Sequence, residues 1–305
     1  MIATGQRTIF ILMAAMVCVA SAGFASYKSN GFSAFRSGAA SNNAAQFAWN
    51  YQANTECLTK VKTKPMFCMQ LGNPSRISLG ILGDSTANSL VPGLADAAIT
   101  RDEGIINIGQ GSCPPVRGML PTPNNPDCPA IVDDAYRVIL GEKTITTVIL
   151  ALFTNDIGSL QFKDLPADAP IEARMKRLMS GLDADIAALT AAGKKVILTY
   201  DTPLSPIDAK DCVSRPFARW LGISKKCSVK ESEVGNRHPQ IDILDHHYLD
   251  RQDVCVFHQS PLLFSGDYIN FKDAEGNFLI RDRHHLSEYG SKKMATLLMQ
   301  SNCRY

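Results

Sequence analysis

The sequence carries no cluster of one charge: 31 lysines and arginines and 29 acidic residues are interspersed over 305 positions, for a net charge of +2. That balance excludes the basic stripe on which nucleic-acid binding depends. No His-Glu-x-x-His or comparable ligand spacing connects His246, His247, His258, His284 and His285, so a zinc site is not expected. No internal repeat occurs. Cys18 lacks a lipobox, with Val17 before it and Ala15 where a leucine would be needed. What remains is an ordinary globular composition, 45% hydrophobic and 20% charged, with enough chain for one large domain or two small ones around a well-packed core.

The first segment differs from the rest. Between Arg7 and Lys28 nothing is charged, and the run 9–14 is apolar throughout. A run of about 20 such residues is either a cleavable leader or a single membrane anchor; Ala20-Ser21-Ala22 fits a small-residue cleavage site. Both readings export the remainder, so residues 1–27 are a leader or anchor and the location is periplasmic or otherwise extracytoplasmic. Eight cysteines follow: Cys57, Cys68, Cys113, Cys128, Cys212, Cys227, Cys255 and Cys303. An even set in an exported chain suggests disulfides, and local pairing gives 57–68, 113–128 and 212–227, with 255–303 left over; buried free thiols are the alternative.

Residues 28–75 read as an N-terminal extension, small and polar over 37–46. From residue 76 to 305 strands alternate with helices. Strands are expected at 77–82, 104–108, 144–153, 195–200 and 253–257; helices at 86–99, 130–140, 171–192 and 286–301, with Gly193 as a helix stop. The run 144–153 is apolar and β-branched almost throughout, as a strand buried on both faces requires. Such alternation implies an α/β fold with a mostly parallel sheet and helices on both faces. Ligands then sit beyond the carboxyl ends of the strands, which makes those ends a search list.

At the first strand end stands Gly83-Asp84-Ser85 before a helix, a turn that either exposes a serine or simply caps the helix. The second ends in Asn107 to Pro115, where Gly109 and Gly111 both allow a backbone N–H to approach a substrate oxygen. The third ends in Phe153-Thr154-Asn155-Asp156, where an asparagine amide is a standard oxyanion donor or an ordinary turn residue. Before the last helix, Asp282 and His285 are three apart, so a carboxylate can orient an imidazole that takes a serine proton. Each feature is common alone; their conjunction and order are not.

Gly83-Asp84-Ser85, Gly111, Asn155 and Asp282 to His285 resemble the four blocks of the SGNH (GDSL-like) hydrolase superfamily. The resemblance implies a flavodoxin-like three-layer α/β/α fold. It assigns Ser85 as nucleophile, His285 as base and then acid, and Asp282 as the orienting carboxylate. The Ser85 and Gly111 amides with the Asn155 side chain would form the oxyanion hole, and no metal or cofactor is implied. Residues 30–36, 67–72, 82–85, 113–115 and 285–287 further resemble the extracytoplasmic SGNH domain fused to multi-pass acyltransferase-3 proteins, which O-acetylate bacterial surface polysaccharides. That likeness implies an acylated or acyl-accepting glycan as substrate and a membrane acyl-donor protein as partner. The membrane half that brings the acyl donor across in those fusions is not among these residues. Thr86 stands where those domains carry His, and Phe153 where a Gly-x-Asn-Asp pattern has its Gly. His284 is expected to be structural. A general carboxylesterase or lipase-like enzyme would need an apolar acyl groove, and no apolar lid segment is evident; a silent glycan-binding subunit would not need the retained triad.

Overall fold

The computed structural model describes residues 2–28, 47–49, 51–123, 125–200, 202–213, 227–234 and 239–303. The chain divides into two compact units, Met1–Ala45 and Gln46–Tyr305. In the first, helix α1 (Ile2–Lys28) carries the apolar run. Its Gly5–Lys28 stretch is long and apolar enough to cross a membrane, with a mean hydropathy of 2.2. The polar stretch 37–46 lies outside the described residues.

The second unit is built on a six-stranded sheet: β1 (Phe67–Gly72), β2 (Ile77–Gly83), β3 (Gly104–Gly109), β4 (Thr147–Ala151), β5 (Lys195–Thr199) and β7 (Cys255–Val256), in the order β1-β3-β2-β4-β5-β7. All neighbours are parallel except β1, which lies antiparallel on β3. Helices α2 (Ser85–Thr100), α3 (Cys128–Gly141), α4 (Ile171–Ala191), α5 (Pro239–Tyr248) and α6 (Glu288–Gln300) pack around it. Alternation along the strands splits the core in two, because successive side chains point to opposite faces. Leu82, Ile106, Ile108, Val148, Leu150, Val196 and Leu198 join the cluster containing α3, α4 and α5. Leu79, Ile81, Ile105, Ile149 and Ile197 join the cluster of α2 and α6. The expected three-layer α/β/α arrangement is present.

Strand and helix limits differ from expectation by a few residues. The stretch 144–153 contributes only Thr147–Ala151 to the sheet, because a 3-10 turn begins at Thr154. The last helix starts at Glu288 because Ser287 caps it, its Oγ accepting from the Gly290 N–H. Phe67–Gly72 was not expected as a strand. A small second sheet of β6 (Ser228–Lys230), β8 (Phe264–Ser265) and β9 (Tyr268–Asn270) and helix α5 also lie where no element was expected.

Three disulfides form as paired from sequence, Cys57–Cys68, Cys113–Cys128 and Cys255–Cys303. The fourth expected pair is unbonded. Cys212 is a buried thiol hydrogen-bonded to Cys227. Burial, reinforced by Cys227, pushes the Cys212 thiol up.

Candidate active site

Strand β2 lies between β3 and β4 in the sheet. The chain moves one way from β2 to β3 and the other way to β4, so the end of β2 is the switch point where α/β sheets bind ligands. Gly83 closes the strand at φ +149°, and a Cβ there would come within 1.9 Å of the Ala151 carbonyl oxygen. Only glycine fits this turn. Asp84 takes the cap: its Oδ1 accepts from the Thr86 N–H at 2.7 Å and its Oδ2 from the Phe153 N–H at 2.6 Å. Full burial pushes its carboxyl up to about 6 despite those two amides. Because Asp84 caps the helix, the Ser85 hydroxyl is left for other work. Ser85 is the first residue of α2, so its own amide belongs to the donors that no intrahelical carbonyl serves.

The second component is the loop before α6. Its ends are pinned by an Ile280–Leu286 bridge and by the Arg281 N–H donating to the His285 carbonyl at 2.9 Å. Asp282 Oδ1 accepts from the His284 and His285 amides at 3.0 and 2.9 Å, and Oδ2 lies 2.7 Å from His285 Nδ1. His285 Nε2 lies 2.7 Å from Ser85 Oγ, across 200 residues of sequence. A ring that donates from Nδ1 to a carboxylate presents Nε2 as an acceptor for the serine O–H. Burial alone would raise the Asp282 carboxyl, but the His285 hydrogen bond, its charge and the two loop amides hold it well below the usual range. Ser85 and His285 meet because α2 and α6 pack closely. Gly93 N–H donates to Ser291 Oγ at 2.9 Å, and a Cβ on Gly93 would fall 2.1 Å from the Ser291 carbonyl oxygen.

Gly111 and Asn155 follow β3 and β4, the two direct neighbours of β2, so their loops flank the Ser85 turn. Gly83 is in register with both Gly109 and Ala151. The two glycines left open from sequence now separate. A Cβ on Gly109 would come 2.0 Å from the Gly83 carbonyl oxygen, whereas Gly111 meets only the Met66 sulfur at 3.8 Å. Gly109 is required by strand packing. Gly111 sits in the turn beyond, its carbonyl held by Asn125 Nδ2 at 2.7 Å. The Asp84–Phe153 bond ties the Asn155 segment to the nucleophile turn.

Three features escaped sequence reasoning. Phe153, which replaces a patterned glycine, stacks on His284 at 4.5 Å and 15°. The His284 ring lies 3.8 Å from that of His285, and its Nδ1 is buried without a partner. Burial and then the His285 charge push the His284 imidazole down to about 4, so it stays neutral. Trp49 reaches His285 from a segment that showed no periodicity. Asp282, His284 and His285 bring potential ligand atoms within 4.8 Å of one another, but both Asp282 oxygens and both His285 nitrogens already serve the hydrogen bonds above.

Residues 50–300 match the profile of the SGNH domain that is fused to AT3 domains. Among solved structures, the periplasmic domain of a Salmonella ser. Paratyphi A lipopolysaccharide acetyltransferase aligns with a TM-score of 0.56 at 14% identity, over 74% of this chain and 83% of that one. A Bacteroides fragilis NCTC 9343 protein assigned provisionally as an acylhydrolase aligns with a TM-score of 0.40 at 12% identity, over 75% and 88%. No curated protein matches in sequence. With the profile spanning most of its length, this chain belongs to the SGNH domain family and is an SGNH-type esterase or acyltransferase.

Proposed function

We propose that the chain handles acetyl esters of an extracytoplasmic glycan, as an O-acetyltransferase or acetylesterase working through an acyl-enzyme on Ser85. The observation that carries this reading is the unbroken line from Asp282 through His285 to Ser85, with both contacts at 2.7 Å. As Ser85 Oγ attacks the acetyl carbonyl carbon, its proton passes to His285 Nε2, and the carbonyl π electrons move onto oxygen. Asp282 stabilises the resulting imidazolium. The oxyanion is received by the Ser85 and Gly111 amides and the Asn155 side chain. Collapse expels the leaving oxygen, which takes the proton from Nε2. A sugar hydroxyl or water then gives its proton to His285 as it attacks the acyl-enzyme carbonyl, and on collapse Ser85 Oγ leaves and takes that proton back from Nε2.

Export is supported by α1 and by three disulfides, which persist in oxidising compartments. The profile's association with AT3 domains supports a membrane protein as acyl donor. The fold shared with a lipopolysaccharide acetyltransferase domain supports a surface glycan as acceptor.

The test is acetyl release from p-nitrophenyl acetate by the full chain, with and without a sugar acceptor, beside Ser85→Ala. Acetylated sugar in the products assigns transfer, and free acetate alone assigns hydrolysis. Equal rates for Ser85→Ala and wild type would remove the acyl-enzyme reading.

A further inference from the structure

Residues 47–49 and 51–54 lie as a strap ahead of β1, and their ties lead to the active site or its supports. Phe47 packs edge-on against Phe278 at 4.8 Å, and the Ala48 carbonyl accepts from Arg281 Nη1 at 2.9 Å. The Tyr51 carbonyl accepts from Asn88 Nδ2 at 2.6 Å, while Gln52 and Asn54 bond to the backbone of Cys68. In the middle stands Trp49. Its ring lies 4.7 Å from the His285 imidazole at 83°, stacks on Phe67 at 5.8 Å and 20°, and carries the Arg281 guanidinium at 3.8 Å. Arg281 in turn lies 3.5 Å from Asp282.

The two hydrogen bonds of His285 lie at the nitrogens on either side of its ring. They fix the line between Asp282 and Ser85 but resist rocking of the ring about that line only weakly. Contacts on the ring itself must supply the remaining constraint, and among the described residues its aromatic partners are Trp49 and His284. The side chain of His285 is 14% exposed, so these neighbours also hold water away from the base.

We propose that Trp49 is a positioning residue of the active site, clamped by Arg281 and Phe67 so that it sets the tilt of the His285 imidazole. This rests on the acyl-enzyme reading. Trp49 is therefore part of the site, whereas Phe47 only fastens the strap against Phe278; the position of Trp49 outside the four recognisable blocks explains why no motif announced it.

The experiment compares full-chain wild type, Trp49→Ala, Trp49→Leu, Trp49→Phe, Phe47→Ala and Ser85→Ala on p-nitrophenyl acetate, with circular dichroism melts of each. Misplacing a reacting group by about an ångström costs roughly a hundredfold, so Trp49→Ala should lower kcat about ten- to a hundredfold with KM within about threefold. Trp49→Phe recovers most of the loss and Trp49→Leu does not, which decides the matter even if the alanine variant fails to fold. Phe47→Ala loosens the same strap and should lower the melting temperature while leaving kcat near wild type. Wild-type kcat in folded Trp49→Ala or Trp49→Leu, with inert Ser85→Ala, overturns this inference alone. Equal losses in Phe47→Ala and Trp49→Ala assign the effect to strap packing and also overturn it. A fully active Ser85→Ala overturns the acyl-enzyme reading and this inference with it.

Discussion

His284 and His285 are adjacent imidazoles with different environments. His285 has a carboxylate at one nitrogen and a hydroxyl at the other, whereas His284 is stacked between Phe153 and His285 with a buried, unpartnered Nδ1. The folded chain keeps His284 neutral down to about pH 4, while the unfolded chain protonates it near 6.5. Between those values the unfolded state binds more protons, so the His284 contribution is present above 6.5 and lost as pH falls through 4, at most about 3 kcal/mol. His284→Phe should therefore lose less melting temperature than wild type between pH 7 and 4.5; parallel acid slopes in the two proteins would refute the assignment. In turnover, His285→Ala should abolish acetyl release and His284→Ala should retain most of it, the reverse order meaning that the other imidazole is the base. Ser85, Asp282 and His285 were legible because short blocks in a fixed order carry them. Gly111 stood level with Gly109 until the strand register supplied the steric difference. Trp49 was not legible, because its contacts depend on where a non-periodic strap is laid.

Helices α2 and α6 carry the two halves of the site, Ser85 opening one and the Asp282–His285 loop preceding the other. Their separation is set at Gly93, where an added Cβ meets the Ser291 carbonyl at 2.1 Å. Gly93→Ala should force the helices apart and destabilise the fold by about 1–3 kcal/mol, the usual cost of overpacking. It should lower kcat as well, since the Ser85–His285 contact spans that interface; a wild-type melting curve and rate would show that the helices accommodate the methyl. The parallel strands β2, β3, β4, β5 and β7 were visible as apolar runs at regular alternation with helices. Strand β1 was not, because Phe67–Gly72 contains no valine, isoleucine or threonine to mark it. The second sheet was hidden by size, its strands being two or three residues long.

The second unit joins two hydrophobic clusters across its six-stranded sheet, and five of its six disulfide cysteines are buried members of those clusters. Cys57–Cys68 ties the strap region to β1, Cys113–Cys128 closes the loop beyond Gly111, and Cys255–Cys303 fastens β7 to the end of the chain. Closed loops of such lengths stabilise by about 2–4 kcal/mol each in the chain-entropy account. Reduction should therefore lower the melting temperature clearly, and an unchanged melt would contradict a structural role for these bonds. The central claim is that Ser85 receives the acetyl group. Its most direct measurement is peptide mass mapping of the full chain quenched during turnover of an acetyl ester. The account predicts one acetyl group, on Ser85, absent from Ser85→Ala. An acetyl group reproducibly carried by another residue, or turnover undiminished in Ser85→Ala, would contradict it.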